Sequence, residues 1–168
     1  MLTPAQLALL KADILANTNQ AVIAGLNNGD SGGIAAWYNL DAAPEFWAFR
    51  YNVTAKEVSD AIHLDEVANI TSADSDRAVK LFQIRSFDGG QFHGNSASDR
   101  AAWDDVFSAA AGDASQQAIA ALWQRPATNA EKVFALGTNT GVSAATADTT
   151  SFQGSVNVQD ISSALAST

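Results

Sequence analysis

The sequence predicts a mainly α protein: a compact bundle of six to eight short helices, with a long C-terminal loop or arm and a short strand. Three observations carry this prediction. Helix starts are written repeatedly as capping boxes. Apolar residues after them recur at spacings of three and four, with little sustained alternation. A Thr-, Ser- and Gly-rich stretch without a helical stripe, residues 137–155, separates the helical part from the C-terminus. The expected organisation is a helical domain over residues 1–136 and a C-terminal arm over 137–168.

Each element follows from local chemistry. In a capping box a Ser or Thr oxygen accepts from the backbone N–H three residues on, and a Glu or Gln there accepts from the cap's own N–H. Thr3-Pro4-Ala5-Gln6 fits, with Pro in its favoured first turn. Leu7, Leu10 and Ile14 form the stripe that follows. Asp30 or Ser31 caps a short helix carrying Ile34, Trp37 and Tyr38. Residues 44–53, aromatic and containing Pro44, read as extended chain or a short helix start. Thr54 and Glu57 make the next box, before Val58 and Ile62. A helix starting near Thr71 or Ser72 carries Val79, Phe82 and Ile84. Residues 87–97 read as a Gly-rich surface loop. Trp103, Val106, Phe107 and Ala110 line another helix, and Asp113 with Gln116 opens the one bearing Ile119, Leu122 and Trp123. Thr128 and Glu131 box the helix of Val133, Phe134 and Leu136, which Gly137 is expected to end. Phe152, Gly154, Val156 and Val158 alternate as a strand, and a last helix covers Gln159–Ala166.

Composition narrows the function. With 168 residues the chain can bury a substantial core. Charged residues are only 16%, against about 25% in an average soluble domain. The formal net charge is −9 and the Lys and Arg residues are scattered. Wrapping nucleic acid needs clustered cations, so sequence-specific nucleic acid binding is not expected. There is no cysteine, which excludes disulfides, thiolate metal sites and thiol catalysis. Lys11 and Asp13 interrupt the apolar N-terminus, so no signal peptide is expected, and no apolar run approaches the ~20 residues of a membrane span.

The motifs that suggest chemistry are better read as structure. Gly29-Asp30-Ser31-Gly32-Gly33 matches the string around the nucleophilic serine of chymotrypsin-like proteases. In that order of residues the serine follows its histidine and aspartate, whereas Ser31 precedes both His63 and His93. Gly, Asp and Ser are also the ordinary residues of a turn. His63 and His93 lie thirty residues apart without an HExxH or a thiolate, although Asp65 and Glu66 follow His63 closely. The Gly137–Gly141 stretch lacks the Lys-Ser/Thr of a phosphate loop. Acidic pairs such as Asp104–Asp105 and Asp74–Asp76 read as solvated helix faces. Trp37, Tyr38, Phe46, Trp47, Phe49 and Tyr51 are expected in one main core with Trp103, Phe107, Trp123 and Phe134. Arg50 is expected to pair with a carboxylate or cap a helix end.

Five blocks of residues then carry a resemblance over nearly the whole chain. They are Leu7, Leu10, Lys11 and Ile14; Ile34-Ala35, Tyr38-Asn39, Pro44, Phe46, Trp47 and Arg50; Asp99-Arg100, Trp103, Val106, Phe107 and Ser108; Arg125, Ala127-Thr128, Ala130-Glu131, Phe134 and Gly137-Thr138; and Phe152, Gly154, Val156 and Asp160-Ile161. In these the chain resembles a family of small proteins encoded among the head and tail morphogenesis genes of tailed bacteriophages and prophages. The resemblance implies a virion structural protein, a head-to-tail connector (adaptor or neck) subunit in a ring between portal and tail. It also implies contacts with portal, tail or neck proteins, a place in the virion and in the host cytoplasm during assembly, and no enzymatic activity. No catalytic, cofactor-binding or metal-ligating residue is expected, and no cofactor. A head decoration or tail-side component, a small acidic regulator of a host protein, and a hydrolase built on His63 or His93 are the competing readings.

Overall fold

The computed structural model describes residues 1–86, 89–107 and 113–167. Its helices are α1 (Pro4–Ala16), α2 (Gln20–Asn28), α3 (Ser31–Tyr38), α4 (Ala55–Ala61), α5 (Leu64–Val67), α6 (Ser72–Ser86), α7 (Ala97–Val106), α8 (Asp113–Leu122), α9 (Asn129–Val133) and α10 (Val158–Ala166). Four short strands, β1 (Trp47–Phe49), β2 (Val53–Thr54), β3 (Gln91–Phe92) and β4 (Gln124–Pro126), and a 3-10 turn at Ala144–Thr146 complete the described elements. The fold is mainly α, as the periodicity predicts. The number of described helices is ten, not six to eight. The additional two are α2 and α5, which lack an apolar stripe long enough to read. Asn19 starts α2 by accepting from Ala21 N, and Gly29 ends it at φ 66.

The chain forms two compact units, Met1–Ala48 with Pro126–Thr168, and Phe49–Arg125. It leaves the first in β1 and returns to it in β4. The expected boundary after residue 136 does not fall there. Ile161 and Ala164 of α10 are fully buried in one cluster with Leu10, Ile14, Ile34 and Tyr38, so the C-terminal segment belongs to the first unit's core. The expected single aromatic core is likewise divided: Tyr38, Phe46 and Phe134 are buried in the first unit, and Phe49, Phe92, Trp103, Phe107 and Trp123 in the second.

In the first unit the caps work as written. Thr3 and Gln6, and Thr128 and Glu131, each make both bonds of the box. Asn157 and Asp160 do the same for α10. Asp30 caps α3 by accepting from Gly33 N at 2.9 Å. The helix over residue 129 onward stops at Val133, sooner than expected. Gly137 (φ 69) instead turns the chain into a loop anchored by Asp148. That loop lies along β1, with Trp47 N donating to Gly141 O at 2.7 Å and Asp148 N to Trp47 O at 2.9 Å. The strand expected over Phe152–Val158 is absent from the described elements. Phe152 and Val156 do turn inward, but side chains satisfy their backbone. Val156 N donates to Asn39 Oδ1 (2.9 Å), Asn39 Nδ2 donates to Val156 O (2.8 Å), and Gly154 N donates to Glu131 Oε1 (3.0 Å). An amide and a carboxylate here take the place of a neighbouring strand.

In the second unit, residues 87–88 and 108–112, with the expected Ala110 contact and the Gly112 helix end, lie outside the described residues. The loop expected over 87–97 contains β3, which pairs antiparallel with β2 through Val53–Phe92 and Thr54–Gln91. Phe92 packs edge-on against Trp103, Phe82 and Trp123. Of the α6 stripe, Phe82 faces the rings, whereas Val79 and Ile84 are exposed. Arg50 meets both expectations at once, pairing with Glu57 at 2.8 Å and donating to Leu122 O at the end of α8.

Candidate functional site

The residues that suggest chemistry in the sequence hold structure here. Ser31 Oγ accepts from Ser162 Oγ at 3.2 Å, a bond between α3 and α10. The backbone N–H of His63 donates to Ser115 Oγ at 2.9 Å, and the His93 ring lies 3.3 Å from Tyr51 O. Among the described residues no three His, Asp or Glu side chains converge as a metal would require. No described helix is long and apolar enough to cross a membrane.

The first unit instead carries a surface groove of about 510 Å³, large enough to seat several side chains. One wall is α1. Its Leu10 and Ile14 are buried, but Leu9 and Leu15 are 51% and 62% exposed, so the helix is apolar on two faces. A surface helix ordinarily buries one stripe and leaves the rest polar. Leu9 and Ala12 face the groove from α1, the half-buried Trp37 from α3, Ala43 from the chain after α3, and Lys132 and Val133 from α9.

The polar groups of the groove are mostly committed to one another. Asn129 donates to Trp37 O at 3.1 Å and to Asp41 O at 3.4 Å, and its oxygen accepts from Ala43 N. Asn17 donates to Asp13 and accepts from Asn19 N. The Tyr38 hydroxyl donates to the Asp13 carboxylate in a short bond. Burial, and then the bond and charge of Asp13, push the Tyr38 phenol far above its ordinary range, so it stays protonated. Lys132 differs. Its ammonium makes only a 3.4 Å contact with Pro44 O and lies 6.0 Å from the Phe46 ring centre. The groove therefore offers apolar surface, an indole and one solvated cation. That suits an apolar segment of another protein better than a small polar ligand, which would need free donors and acceptors.

The second unit carries an opposite feature. Turn α5 has no buried residue, and Leu64 and Val67 are 82% and 38% exposed. It is nevertheless clamped from its polar side. The Glu66 carboxylate accepts from Ala114 N (2.9 Å) and Ser115 N (2.8 Å) at the start of α8. The Ser115 hydroxyl and these N–H groups, with the nearby His63, hold the Glu66 carboxyl below its ordinary range against the opposing effect of burial. Polar groups thus anchor α5 while its apolar side chains point to solvent.

Sequence reasoning identified no site, and neither feature is a motif. One signal was legible: Leu9 and Leu15 fall off the Leu7–Leu10–Ile14 stripe. Comparison with protein-family models, with curated proteins and with solved structures finds no match to this chain.

Proposed function

We propose that the protein acts by assembly, as a virion structural subunit of a tailed bacteriophage: a head-to-tail connector that forms a ring between portal and tail. The observation that carries the assembly part is α1, which buries Leu10 and Ile14 yet leaves Leu9 exposed in a groove with Trp37. Apolar surface left beside a shaped groove is what a subunit keeps for its neighbours. The bacteriophage assignment rests on the five blocks of sequence resemblance. A ring requires two different complementary faces on each subunit, a heterologous contact. The groove supplies one of them. The role assigned to the chain is mechanical, without catalysis or cofactor, and its partners are further copies of itself and the adjoining portal, tail or neck proteins.

The test is quantitative mass spectrometry of purified, nuclease-treated particles from the source phage. A low, ring-like copy number supports the connector. A copy number near that of the major capsid protein replaces it with head decoration. Absence from particles overturns the virion reading and leaves the host-protein regulator to be tested.

A further inference from the structure

We infer that the free protein pairs with a second copy of itself through the outer face of α1, in a parallel two-fold contact centred on Ala12. The pairing goes beyond the virion role and does not depend on it. Beyond Pro4, the exposed residues of α1 are Ala5, Ala8, Leu9, Ala12, Leu15 and Ala16, without one polar side chain among them. At about 100° per residue, all six fall within about 60° of Ala12 on one side of the helix. Leu10 and Ile14 are buried on the opposite side. A helix that is apolar on both sides is one covered on both sides. The other exposed apolar side chains form no such face, because the exposed residues of α2, α5, α6, α7, α8 and α10 each include Gln, Asn, Asp or Lys.

The pattern selects a second copy of the same helix. Ala8, Leu9, Ala12, Leu15 and Ala16 read the same in both directions from Ala12, so a copy of the face laid against it sets a small residue opposite each large one. With the helices parallel, Leu9 comes over Ala8 of the second copy and Leu15 over its Ala16. Charge decides the direction. Lys11 borders the face on one side and Asp13 on the other. A parallel pair brings Lys11 of each copy to the side of Asp13 of the other, whereas an antiparallel pair brings like to like. Both groups have capacity left: Lys11 gives one of its three N–H groups to Ser167 O, and Asp13 takes the bonds of Asn17 and Tyr38 on Oδ2, which leaves Oδ1. At a net charge of −9, two copies meet with least repulsion where the local charge cancels, as it does between Lys11 and Asp13. A two-fold contact closes at two copies. Leu9 and Ala12 also line the groove, so on the assembly reading the pair covers that face until a ring neighbour displaces it.

Light scattering on the full-length chain should give twice its mass of 17.5 kDa. Leu15→Glu should return it to a single chain. Ile84→Glu is the control and should leave the dimer intact, since Ile84 of α6 is 61% exposed against 62% for Leu15. Both variants should keep the wild-type circular dichroism. The chain has no cysteine, so Ala5→Cys introduces a lone thiol. In a parallel pair the two thiols stand at the same height, and gentle oxidation should link them about tenfold more than in Ile84→Cys, because pairing raises their local concentration. In an antiparallel pair they stand about 20 Å apart along the helices and stay unlinked. A monomeric wild type, or a dimer that Ile84→Glu breaks and Leu15→Glu does not, overturns the pairing. A Leu15-dependent dimer without the Ala5→Cys cross-link overturns the parallel arrangement. A monomeric wild type whose Leu15→Glu variant is missing from particles also overturns the pairing and gives the face to another virion protein. A Leu15-dependent dimer of a chain absent from particles keeps the pairing and removes the virion role.

Discussion

Replacing Asp148 should release the loop between α9 and α10 more than any other single change there. Asp148 is 1% exposed. Its carboxylate accepts from four backbone N–H groups: Gly137 (3.0 Å), Thr138 (3.0 Å), Asn139 (3.2 Å) and Thr149 (2.7 Å). It accepts a fifth bond from the Thr138 hydroxyl. Asp148→Ala strands all five donors. A buried donor left unpaired costs about 1–3 kcal/mol. Gly137, Thr138 and Asn139 are exposed residues whose N–H groups water can reach after the change, so the low end applies to them. The Thr138 hydroxyl can turn to water, and the four N–H groups at about 1 kcal/mol each sum to about 4 kcal/mol. Asp148→Asn keeps the oxygen that takes four of the bonds, but turns an amide N–H₂ toward Gly137 N. Its cost is about 2 kcal/mol. Urea denaturation followed by far-UV circular dichroism measures the loss, and hydrogen exchange at residues 137–150 locates it. A loss below about 1 kcal/mol for Asp148→Ala would refute the reasoning, since it would mean that the five bonds are no better than bonds to water.

The same carboxylate predicts a pH dependence. Burial alone would raise its pKa. The Thr138 hydroxyl and the N–H groups of Thr149, Asn139 and Gly137 outweigh burial and hold it below the ordinary range. A depressed folded pKa means that the stabilisation is complete above the unfolded value, about 3.9, and is lost as pH falls through the folded value. Wild type should therefore lose more stability than Asp148→Asn on going from pH 5 down to about pH 2. Parallel acid curves for the two proteins would show that the carboxylate carries no such linkage.

Three further outcomes are expected. Ile161→Ala should cost about 2–5 kcal/mol as a buried large-to-small change, and removing residues 150–168 should unfold the first unit; near-native circular dichroism of the truncated chain would show that α10 is dispensable. Asn39→Ala should cost about 2 kcal/mol by freeing both Val156 N and Val156 O, with hydrogen exchange at residues 154–158 rising while α2 stays protected; unchanged exchange there would remove the amide clamp from the account. Thr54→Ala should cost about 1 kcal/mol by uncapping α4, readable as a shift of the denaturation midpoint, and Thr54→Ser should restore most of it.

The helix starts were legible because a capping box is satisfied within four residues. Thr3, Thr54 and Thr128 each need only their own Gln6, Glu57 or Glu131. The same locality made Asp30 readable as a cap instead of a nucleophile's neighbour. Residues 137–158 were misread because their partners are distant in sequence. The alternation of Phe152 and Val156 looks like a strand, but whether a strand forms depends on what meets its backbone. Here Asn39, from the end of α3, meets it. Likewise, composition marked 137–155 as loop but carried no sign that Asp148 would gather four N–H groups around itself. The groove was illegible for the same reason: Leu9, Trp37, Ala43 and Lys132 come from separate parts of the chain, and only packing brings them together.

By itself, then, the sequence determined that this chain is mainly helical, where most of its helices begin, and which thiol-dependent chemistries it cannot perform. Those properties depend on hydrogen bonds within one turn and on composition. Only the tertiary structure decided that the C-terminal helix is core, that the aromatics divide between two units, and that apolar residues remain outside on α1 and α5. Burial is a property of what packs against a residue, and a side chain's neighbours in space are not written beside it in the chain.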